Sequence, residues 1–551
     1  MKKLQNGSDI RGVALATPNG PEVNLTPETA ERLARGFADF LVEKTGLGLD
    51  DLTIAVGRDP RITGEALEDA ICRGLAAYGC KVYSAGLAST PAMFMATVFP
   101  EFDCDGSIMI TASHMPMERN GMKFFSKEGG LEKQDISKII EFAEGASAGA
   151  SAGGAAGDDG ASGSGGAAGA SGGASVGNAA SDDGASGAGG AAGASGGASA
   201  GGADPTHINL IDRYCSHLKS IICEALADTA SQPLAGLRIT VDAGNGGGGF
   251  FAEKVLKPLG ADVSTSQFLE PDGTFPNHIP NPENRAAMEA IRTRVLETRT
   301  DLGLIFDTDV DRASAVDEQG KEIAHNGIVA MAAALIAEEH PGTTVVTDSV
   351  TSNELSKFLT EELGLKHLRY KRGYRNVIGK AIALNKEGID SQLAIETSGH
   401  GAYKQNYFLD DGAYLATLIV IKAARLQREG KKISSVIANL KEPVEAREVR
   451  LPIAGDDFVE TGDKIIADLT KAATDGRLSE VCLAEPNYEG VRIDFNSPEI
   501  QGWMLLRKSL HDPIMPLNYE ANAVGGCKKI AADIKPILAM YPQLDISLLI
   551  I

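Results

Sequence analysis

The chain has 551 residues, of which 43% are hydrophobic and 23% charged, so it is globular in character and too long for a single ordinary core. At roughly 150 residues per domain, this length suggests three or four domains. The 52 Lys and Arg residues against 74 Asp and Glu give a formal net charge of −22, which disfavours nucleic acid or an anionic membrane as the main partner.

The seven cysteines form neither a Cys-x-x-Cys pair nor a regular framework, which is typical of reduced thiols inside a cell. No apolar run approaches the roughly 18 residues of a membrane-spanning helix, and the first residues lack the apolar stretch of a signal peptide. We therefore expect a soluble intracellular protein.

Short β-branched runs alternate with helical patterns along most of the chain, which is the signature of βαβ units and parallel sheets. The predicted strands are 53–57, 81–84 and 106–111 in a first unit, 237–241, 262–265 and 302–306 in a second, and 343–347, 367–370 and 393–395 in a third. A strand meander over 491–517 and a helix from about 527 to 539 predict a fourth domain of the α+β class.

One segment, 145–203, departs from the globular composition because nearly every residue is Gly, Ala or Ser, which predicts a disordered insert. The expected fold is three tandem α/β mixed-sheet domains plus a C-terminal α+β domain around a central cleft. We place the domain limits at 1–205, 206–322, 323–441 and 442–551.

The third strand of each unit is followed directly by the most polar sequence of that unit. These loops are 111–114, 307–312 and 396–400. In open α/β sheets the ligand site lies beyond the carboxyl ends of the strands. The three loops are therefore predicted to form one site.

Three aspartates alternate along the second loop, at Asp307, Asp309 and Asp311. Side chains two apart in an extended loop point to the same side, so the three carboxylates can bind one hard cation, and Mg²⁺ fits best. A charged turn without a metal is disfavoured because three carboxylates so close together repel one another.

Two alternatives for this loop stay open. An EF-hand would need Gly where Arg312 stands and a helix where 302–306 has the pattern of a strand, although Glu318 falls at its twelfth position. A haloacid-dehalogenase-like sugar phosphatase would use Asp307 as its nucleophile, although such loops normally have Thr or Val where Asp311 stands.

Ser113 lies in the first loop, where a serine is ordinarily a helix cap. Its neighbours favour a catalytic interpretation, because His114 and Lys123 can supply cationic or proton-transfer groups near a phosphorylated serine. Arg11 and Arg61 lie in equally polar loops and can bind phosphate.

The run Gly244–Gly249 follows a predicted strand and satisfies the pattern Gly-x-Gly-x-x-Gly, with Asp262 in the range of a ribose-binding acid. A nucleotide-dependent oxidoreductase is therefore a further alternative, although it leaves the serine and aspartate loops unexplained. A tight strand-to-helix turn packed against its neighbours accounts for the same glycines.

Taken together, these loops resemble those of the α-D-phosphohexomutase family, which comprises phosphoglucomutases, phosphomannomutases and phosphoglucosamine mutases. The segment 111–116 resembles the phosphoserine loop of the family, 307–312 its metal loop and 395–400 its sugar loop. Each loop departs from the family pattern at one position: Met115 replaces Asn, Thr308 replaces Gly and Ile395 replaces Gly.

Two further loops share this resemblance. The segment 507–513 resembles the family's phosphate loop of the fourth domain, with Arg507 and Ser509 retained and His511 where the family has Thr. These three side chains can still hydrogen-bond a phosphate. The segment 372–375 resembles the specificity loop of the third domain.

The resemblance implies reversible phosphoryl transfer between the 1- and 6-positions of a hexose phosphate, glucose and/or mannose, through a phosphoserine enzyme and a hexose 1,6-bisphosphate intermediate. It implies Mg²⁺ as cofactor and glucose 1,6-bisphosphate, or the matching hexose bisphosphate, as activator. The implied metal site comprises Ser113, Asp307, Asp309 and Asp311. The implied catalytic residues are Ser113, His114, Lys123, Arg11, Arg312 and His400. The implied substrate-binding residues are Glu396, Ser398, Gly399, Gly373, Arg375, Arg507, Ser509 and His511.

The resemblance also assigns the predicted domains, in order, to the phosphoserine loop, the metal, the sugar and the distal phosphate. It implies small hexose phosphates as partners, no nucleic acid or membrane, and a monomer or homodimer. Phosphoglucosamine mutase stays an alternative, although Thr397 stands where those enzymes commonly have Gln. The sequence looks most similar to plant and algal members of the phosphoglucomutase/phosphomannomutase branch, which leaves the cytoplasm or the plastid stroma as the compartment.

Overall fold

The computed structural model describes residues 1–18, 20–149, 204–227, 232–455, 457–509 and 512–549. The predicted disordered insert therefore lies outside the described residues, apart from its first five, which continue a helix that begins at Lys133. The described residues form three mixed sheets followed by one antiparallel sheet. This arrangement confirms the prediction of three α/β domains and a C-terminal α+β domain.

The first sheet is mixed and is flanked by helices. Its strands are β1 (Gln5–Asn6), β2 (Asp9–Val13), β3 (Thr53–Arg58), β4 (Lys81–Leu87), β5 (Gly106–Ile110), β6 (Arg119–Ser126), β7 (Gly129–Gly130) and β8 (Thr206–His207). Its helices are α1 (Pro27–Thr45), α2 (Gly64–Ala77), α3 (Thr90–Met95) and α4 (Lys133–Gly149). The strand order is β1-β2-β6-β5-β3-β4-β8, with β7 paired to β6. The domain limit predicted at 205 falls just before β8, which still belongs to this sheet.

Strand β5 shows why this sheet forms a buried layer. All five of its residues are buried, and it lies between parallel β3 and antiparallel β6. Helix α1 covers one face with Leu33, Phe37 and Leu41, and the hydroxyl of Thr26 caps its first turn by accepting a hydrogen bond from the Thr29 amide at 3.2 Å. The sheet is thus rigid where β5 delivers the loop that contains Ser113.

The second sheet has the order β12-β11-β10-β9. Its elements are α5 (Leu210–Leu226), β9 (Ile239–Asp242), α6 (Arg285–Thr298), β10 (Leu302–Phe306), β11 (Ala313–Asp317) and β12 (Glu322–Ile323). The predicted strand 262–265 is wrong, because the chain pairs with this sheet there only through isolated bridges. Backbone hydrogen bonds join Asp262 to Leu237 and Ile239, but the Ser264 amide then donates to the Asp262 carboxylate within its own segment, and the Val241 amide donates to the Ser266 hydroxyl.

The third sheet has the order β14-β13-β15-β16-β17 and the fourth the order β18-β22-β21-β20-β19. The third domain contains α7 (Asn326–Ala337), β13 (Thr344–Thr347), α8 (Asn353–Lys357), β14 (Lys366–Arg369), α9 (Tyr374–Lys386), β15 (Leu393–Ile395), β16 (Gly401–Tyr403), β17 (Leu409–Asp410) and α10 (Gly412–Arg428). The fourth contains β18 (Glu445–Pro452), α11 (Phe458–Ala472), β19 (Val481–Leu483), β20 (Val491–Phe495), β21 (Gly502–Leu506), β22 (Ile514–Ala521) and α12 (Gly526–Leu538). Single turns of 3-10 or π-helix lie at Lys2–Leu4, Phe251–Leu256, Lys257–Leu259, Phe358–Glu362, Lys404–Asn406 and Ile433–Ile437.

The first three domains share one continuous apolar core, which joins Met93, Tyr214, Phe306 and Leu415. The fourth domain has a separate core around α11, α12 and its own sheet. None of the described helices is both long and apolar enough to cross a membrane. Three domains with a common core hold their strand-end loops at fixed relative positions, whereas the fourth contacts them mainly through polar side chains.

Candidate active site

The structure brings the three polar strand-end loops together. Ser113 follows β5, Asp307 follows β10, and His400 belongs to the turn between β15 and β16. The Ser113 hydroxyl donates to Asp307 Oδ2 at 3.1 Å, and an isolated antiparallel bridge pairs Arg312 with His400. The strand ends of all three α/β domains therefore converge on Ser113.

Ser113 has an unusual backbone conformation for a non-glycine residue. Its φ of 51° lies in the left-handed region. The Thr111 hydroxyl accepts the Ser113 amide proton at 2.8 Å, and the hydroxyl of Ser113 itself is directed at Asp307 and Arg312. The loop therefore presents the hydroxyl to the second domain instead of capping a helix, so the helix-cap interpretation does not hold.

The Ser113 loop owes its shape to a buried arginine, Arg61. Its guanidinium donates to the backbone carbonyl oxygens of Ser113, Met115, Pro116 and Arg119 and to the carboxylate of Asp59. The Arg61 side chain is 1% exposed, so these bonds are shielded from water. The sequence placed Arg61 in a polar loop but gave no sign that it organises the loop around Ser113.

Asp307, Asp309 and Asp311 form one buried cluster, with a carboxylate oxygen of each within 4.8 Å of the others. Oδ1 of Asp309 and Oδ1 of Asp311 are buried and have no hydrogen-bond partner among the described residues. Burial, together with nearby Asp311, raises the pKa of Asp307 well above its usual range. Unpartnered oxygens on hard carboxylate ligands are what a divalent cation such as Mg²⁺ requires, so the cluster fits a metal.

Lys123, on β6, is bonded to this cluster. Its ammonium donates to Asp309 Oδ2 at 3.0 Å and to Asp311 Oδ2, and it leaves the two Oδ1 atoms free. Burial opposes its charge, but Asp309 and Asp311 raise the pKa of Lys123 well above its ordinary value. Lys123 is therefore a fixed cation in this state, with its proton held by two carboxylates.

Arg312 connects Ser113 to the aspartate cluster. Its Nη2 atom lies 3.0 Å from Ser113 Oγ and 2.9 Å from Asp307 Oδ2, and its Nη1 donates to Asn281 Oδ1 at 3.2 Å. The side chain is 1% exposed, and although burial opposes its charge, the neighbouring carboxylates raise the pKa of Arg312 further. A permanent positive charge is thus fixed at the Ser113 oxygen.

His114 differs from the expected cationic role. Burial and the adjacent Arg312 lower the pKa of His114 to about 4, so its imidazole is neutral at physiological pH. Arg312 Nη2 donates to its Nδ1 at 2.7 Å, which places the His114 proton on Nε2. His114 therefore acts here as a hydrogen-bond acceptor that orients Arg312.

Two other predicted catalytic residues are held by carboxylates. Arg11, on β2, donates to Asp9 Oδ2 at 2.7 Å and to the carbonyl of Thr111. His400 Nδ1 is paired with Asp410, and although burial opposes its charge, this carboxylate raises the pKa of His400 to about 9. His400 is thus protonated at neutral pH, and the sequence did not indicate that Asp410 is its partner.

The side chains of Glu396, Thr397 and Ser398 are all buried but differ in their hydrogen-bond partners. Burial and Asp348 raise the pKa of Glu396 to about 7, and its Oε1 accepts the Gly373 amide at 2.6 Å. The hydroxyl oxygen of Ser398 is buried without a partner among the described residues, so it can still bond a ligand. Thr397 donates to Asp348 at 2.9 Å, so its hydroxyl is committed to the protein.

Two of the predicted glycines have structural roles. Gly373 has a φ of 112° and donates its amide to Glu396. Gly399 has a φ of 92°, and a Cβ there would lie 2.6 Å from the carbonyl oxygen of Ala313. Gly399 thus lets its loop approach the backbone of β11 closely, Gly373 supplies a left-handed φ before α9, and direct contact of either glycine with a substrate stays a prediction.

The predicted phosphate loop is the hairpin between β21 and β22. Arg507 Nε is buried without a hydrogen-bond partner in the described chain, and Nη1 lies 3.9 Å from Glu489 Oε1. The Ser509 hydroxyl accepts the Asp512 amide at 3.3 Å. His511 lies outside the described residues.

Arg375, in the third domain, packs against Gly130 of the first domain, so its expected role toward substrate stays a prediction.

The glycine run Gly244–Gly249 packs closely against neighbouring backbone, including that of Thr308 between the first two aspartates. A Cβ at Gly246 would lie 2.9 Å from Thr308 Cα, and one at Gly249 would lie 2.2 Å from the carbonyl oxygen of Leu269. The Gly247 amide donates to the carbonyl oxygen of Thr308 at 2.8 Å. The glycines thus form the tight packed turn, and the oxidoreductase alternative loses its only support.

The EF-hand alternative also fails. The loop with the three aspartates follows strand β10 instead of a helix. Glu318 accepts a hydrogen bond from the hydroxyl of Ser434, in another segment, and does not belong to the aspartate cluster. The cation site that fits this chain is therefore formed by the aspartates at the strand end.

Three family models match consecutive parts of the chain. Residues 2–148 match Phosphoglucomutase/phosphomannomutase, alpha/beta/alpha domain I, residues 212–320 match domain II, and residues 325–443 match domain III. A phosphomannomutase/phosphoglucomutase of Pseudomonas syringae pv. tomato is 26% identical over 545 residues, which cover 98% of this chain and 96% of that protein. A phosphoglucomutase of Neisseria meningitidis serogroup A is 28% identical over 539 residues, which cover 97% and 96%.

A solved structure shows the same fold. A phosphoglucomutase/phosphomannomutase family protein from Burkholderia thailandensis superposes with a TM-score of 0.72 at 23% identity, over 98% of each chain. The relatives named here are bacterial, and the similarity to plant and algal members stays a prediction.

Proposed function

This chain belongs to the phosphoglucomutase/phosphomannomutase family, and we propose that Ser113 is its phosphoryl carrier, which exchanges a phosphoryl group with the 1- and 6-positions of a hexose phosphate. The enzyme is an isomerase, an intramolecular phosphotransferase. The observation that carries the assignment of Ser113 is its position, with the hydroxyl 3.1 Å from Asp307 and 3.0 Å from the Arg312 guanidinium.

In the forward half-reaction, a sugar hydroxyl attacks the phosphorus of phosphorylated Ser113. The new bond joins the sugar oxygen to phosphorus as that oxygen gives up its proton, the bond from phosphorus to Ser113 Oγ breaks, and Oγ keeps the electron pair and takes up a proton. Arg312 is fixed at that oxygen and stabilises the charge that develops there. After the bisphosphorylated sugar turns end for end, Ser113 attacks the other phosphate by the reverse of the same step.

Oxygens of Asp307, Asp309 and Asp311, with the phosphorylated Ser113, would hold Mg²⁺. When bound, Mg²⁺ supplies charge neutralisation for the transferring phosphoryl oxygens. Lys123 is bonded to the Oδ2 atoms of Asp309 and Asp311 and balances their charge, and the Oδ1 atoms, which have no hydrogen-bond partner among the described residues, would be available to the cation. The protonated His400, held by Asp410, is the group best placed by charge to supply a proton, and neutral His114 keeps Arg312 oriented.

The remaining polar groups bind the substrate. Glu396 and the unpartnered hydroxyl of Ser398 would bond sugar hydroxyls in either orientation of the sugar. Arg507 and Ser509 would bind the phosphate that does not react, since Nε of Arg507 is buried with no partner in the described chain. His511 completes this loop in the proposal.

The activator in this proposal is glucose 1,6-bisphosphate, or the matching hexose bisphosphate, because it phosphorylates Ser113 directly. We further propose the cytoplasm or the plastid stroma as the compartment and a monomer or homodimer as the assembly.

Phosphoglucosamine mutase activity is the second candidate function. The Thr397 hydroxyl is bonded to Asp348, so it offers no group to recognise the substituent on carbon 2 of the sugar. A sugar phosphatase with Asp307 as nucleophile is disfavoured because Asp307 is bonded to Arg312 and to Ser113.

The test is ³¹P NMR of the purified protein with Mg²⁺, a trace of glucose 1,6-bisphosphate, and glucose 1-phosphate. We expect the 6-phosphate signal to grow with wild-type protein and to stay absent with Ser113→Ala. Parallel samples with mannose 1-phosphate and glucosamine 1-phosphate establish the sugar preference. Release of inorganic phosphate that persists in Ser113→Ala would instead favour hydrolysis through Asp307.

A further inference from the structure

Tyr374, the first residue of α9, contacts groups on both sides of the active-site cleft, and no step above uses it. Its ring stacks on the imidazole of His400, with centroids 5.0 Å apart and planes inclined by 17°. Its hydroxyl oxygen lies 3.4 Å from Ser8 Oγ in the first domain. Tyr374 therefore joins the sugar-binding domain to the phosphoserine domain at the reacting groups.

The position of the Tyr374 ring is itself fixed. The guanidinium of Arg375 lies 5.2 Å from the ring centroid and packs against Gly130, where a Cβ would lie 1.5 Å from Nη2. Gly373, with its left-handed φ and its amide bonded to Glu396, sets the direction in which α9 begins. The ring is thus held by its own helix and by the first domain.

His400 needs a second contact to be oriented. Its Nδ1 is bonded to Asp410, and that one hydrogen bond fixes an edge of the imidazole but leaves the ring free to tilt about the bond. A parallel aromatic face removes this freedom, because tilting would break the stack. Asp410 and Tyr374 together therefore define the plane of the His400 ring.

We propose that Tyr374 is a positioning residue for His400, acting through the face of its ring. The proposal rests on the proposed function, in which His400 supplies a proton. It differs from a role in sugar recognition, because a residue that orients the proton donor changes turnover, whereas a residue that reads the sugar changes binding. The contact with Ser8 ties this orientation to the approach of the third domain to the first.

The kinetic test compares Tyr374→Phe, Tyr374→Leu and Ser8→Ala. Phe keeps the aromatic face, so we expect Tyr374→Phe and Ser8→Ala to retain kcat within about threefold. Leu removes the face, and we expect kcat to fall about 10- to 100-fold with KM changed less than about threefold. A raised KM with unchanged kcat in Tyr374→Leu would overturn the proposal in favour of substrate contact. Equal losses in Phe and Leu would overturn it in favour of hydroxyl chemistry.

A second measurement does not depend on activity. In protein with ¹³C-labelled histidine, the His400 ring signal is assigned by its loss in His400→Gln. We expect the ring-current shift of that signal to persist in Tyr374→Phe and to disappear in Tyr374→Leu, and an unmoved signal in Leu would refute the stack. If Tyr374→Leu does not fold, Tyr374→Trp and Tyr374→Ser replace the pair of aromatic and non-aromatic variants. If the wild-type protein shows no mutase activity, the proposed function is refuted, and the His400 signal still tests whether Tyr374 stacks on His400.

Discussion

The hydroxyl of Ser113 lies 3.1 Å from the carboxylate of Asp307, although the two residues are 194 positions apart and belong to different sheets. The proposed phosphoryl carrier and the proposed cation site therefore meet only when the first and second domains are packed together. The common apolar core of these domains keeps that distance fixed.

Replacement of Asp307 by Asn should abolish most of the mutase activity while the protein stays folded. The amide lacks the negative charge of one of the three proposed cation ligands and presents an NH₂ group in place of one carboxylate oxygen, so we expect kcat to fall by about 10²- to 10³-fold. Steady-state assays with glucose 1-phosphate measure the loss. Asp262→Asn, an exposed aspartate of the same domain, is the matched control and should be unaffected.

Mg²⁺ should stabilise the protein against thermal unfolding. Binding to the folded state alone adds about 2.7 kcal/mol at a concentration 100 times the Kd. We expect Tm to rise with Mg²⁺ in the wild type and in Asp272→Asn, and to stay constant in Asp309→Asn and Asp311→Asn. An equal rise in all four proteins would place the cation elsewhere. Chelation should silence the mutase reaction reversibly.

Replacement of Arg61 by Met should disorder the Ser113 loop. The buried carbonyl oxygens of Ser113, Met115, Pro116 and Arg119 would lose their donor, so we expect destabilisation by about 3 kcal/mol or more, seen as a lower Tm. Phosphorylation of Ser113 by glucose 1,6-bisphosphate should also slow, and mass spectrometry of the intact protein measures its rate. The control is Arg73→Met, whose side chain is 70% exposed.

Replacement of Arg492 by Met should weaken substrate binding more than turnover. The Arg492 guanidinium donates to the carbonyl oxygens of Ser349 and Thr351, at 2.8 and 3.1 Å, and lies 3.7 Å from the Trp503 ring centroid. It thereby docks the fourth domain, which contains the proposed phosphate loop, on the third. We expect KM to rise about tenfold or more with a smaller change in kcat, whereas Arg450→Met, an exposed arginine of the same domain, should leave both constants unchanged.

Stability should depend on pH through Asp411, which caps α10. Burial raises its pKa to about 6, against an ordinary value of 3.8, and a hydrogen bond from Tyr214 moderates the rise. A raised pKa means that the folded state holds the proton more tightly. The resulting stabilisation is therefore complete below pH 3.8 and is lost as the pH rises through about 6. Over this range the contribution of Asp411 to the free energy of unfolding falls by about 3 kcal/mol.

The measurement is Tm from pH 4 to 8 for wild type and Asp411→Asn. The advantage of the wild type over this variant should shrink as the pH rises, because asparagine does not titrate. Tyr214→Phe removes a bond that lowers the pKa and should move the transition to higher pH. A wild-type advantage that is constant with pH would contradict this account.

Much of the fold and the place of the site followed from the sequence. Alternation of strand and helix patterns indicated the domains, and strands such as 302–306 and 393–395 have the predicted bounds. The polar loops after the third strands were found because carboxyl ends of parallel strands share one edge of a sheet. Local pattern is sufficient for these features, since each depends on residues adjacent in the chain.

Other features depended on contacts between distant segments. The strand predicted at 262–265 failed because, beyond Asp262, the Ser264 amide is bonded within its own segment and the Val241 amide is bonded to the Ser266 hydroxyl. The contacts of Arg61, Asp410 and Tyr374 could not be predicted because each of these residues bonds or packs against a loop elsewhere in the chain.

Protonation was likewise decided by tertiary structure. From the sequence alone, His114 and His400 are equivalent candidates for a protonated histidine. Burial against Arg312 leaves His114 neutral, whereas the Asp410 carboxylate keeps His400 charged. The sequence determines which ionisable groups are present, but only folding sets the distance between charges and the water that remains around them, and these two quantities fix the charge each group bears.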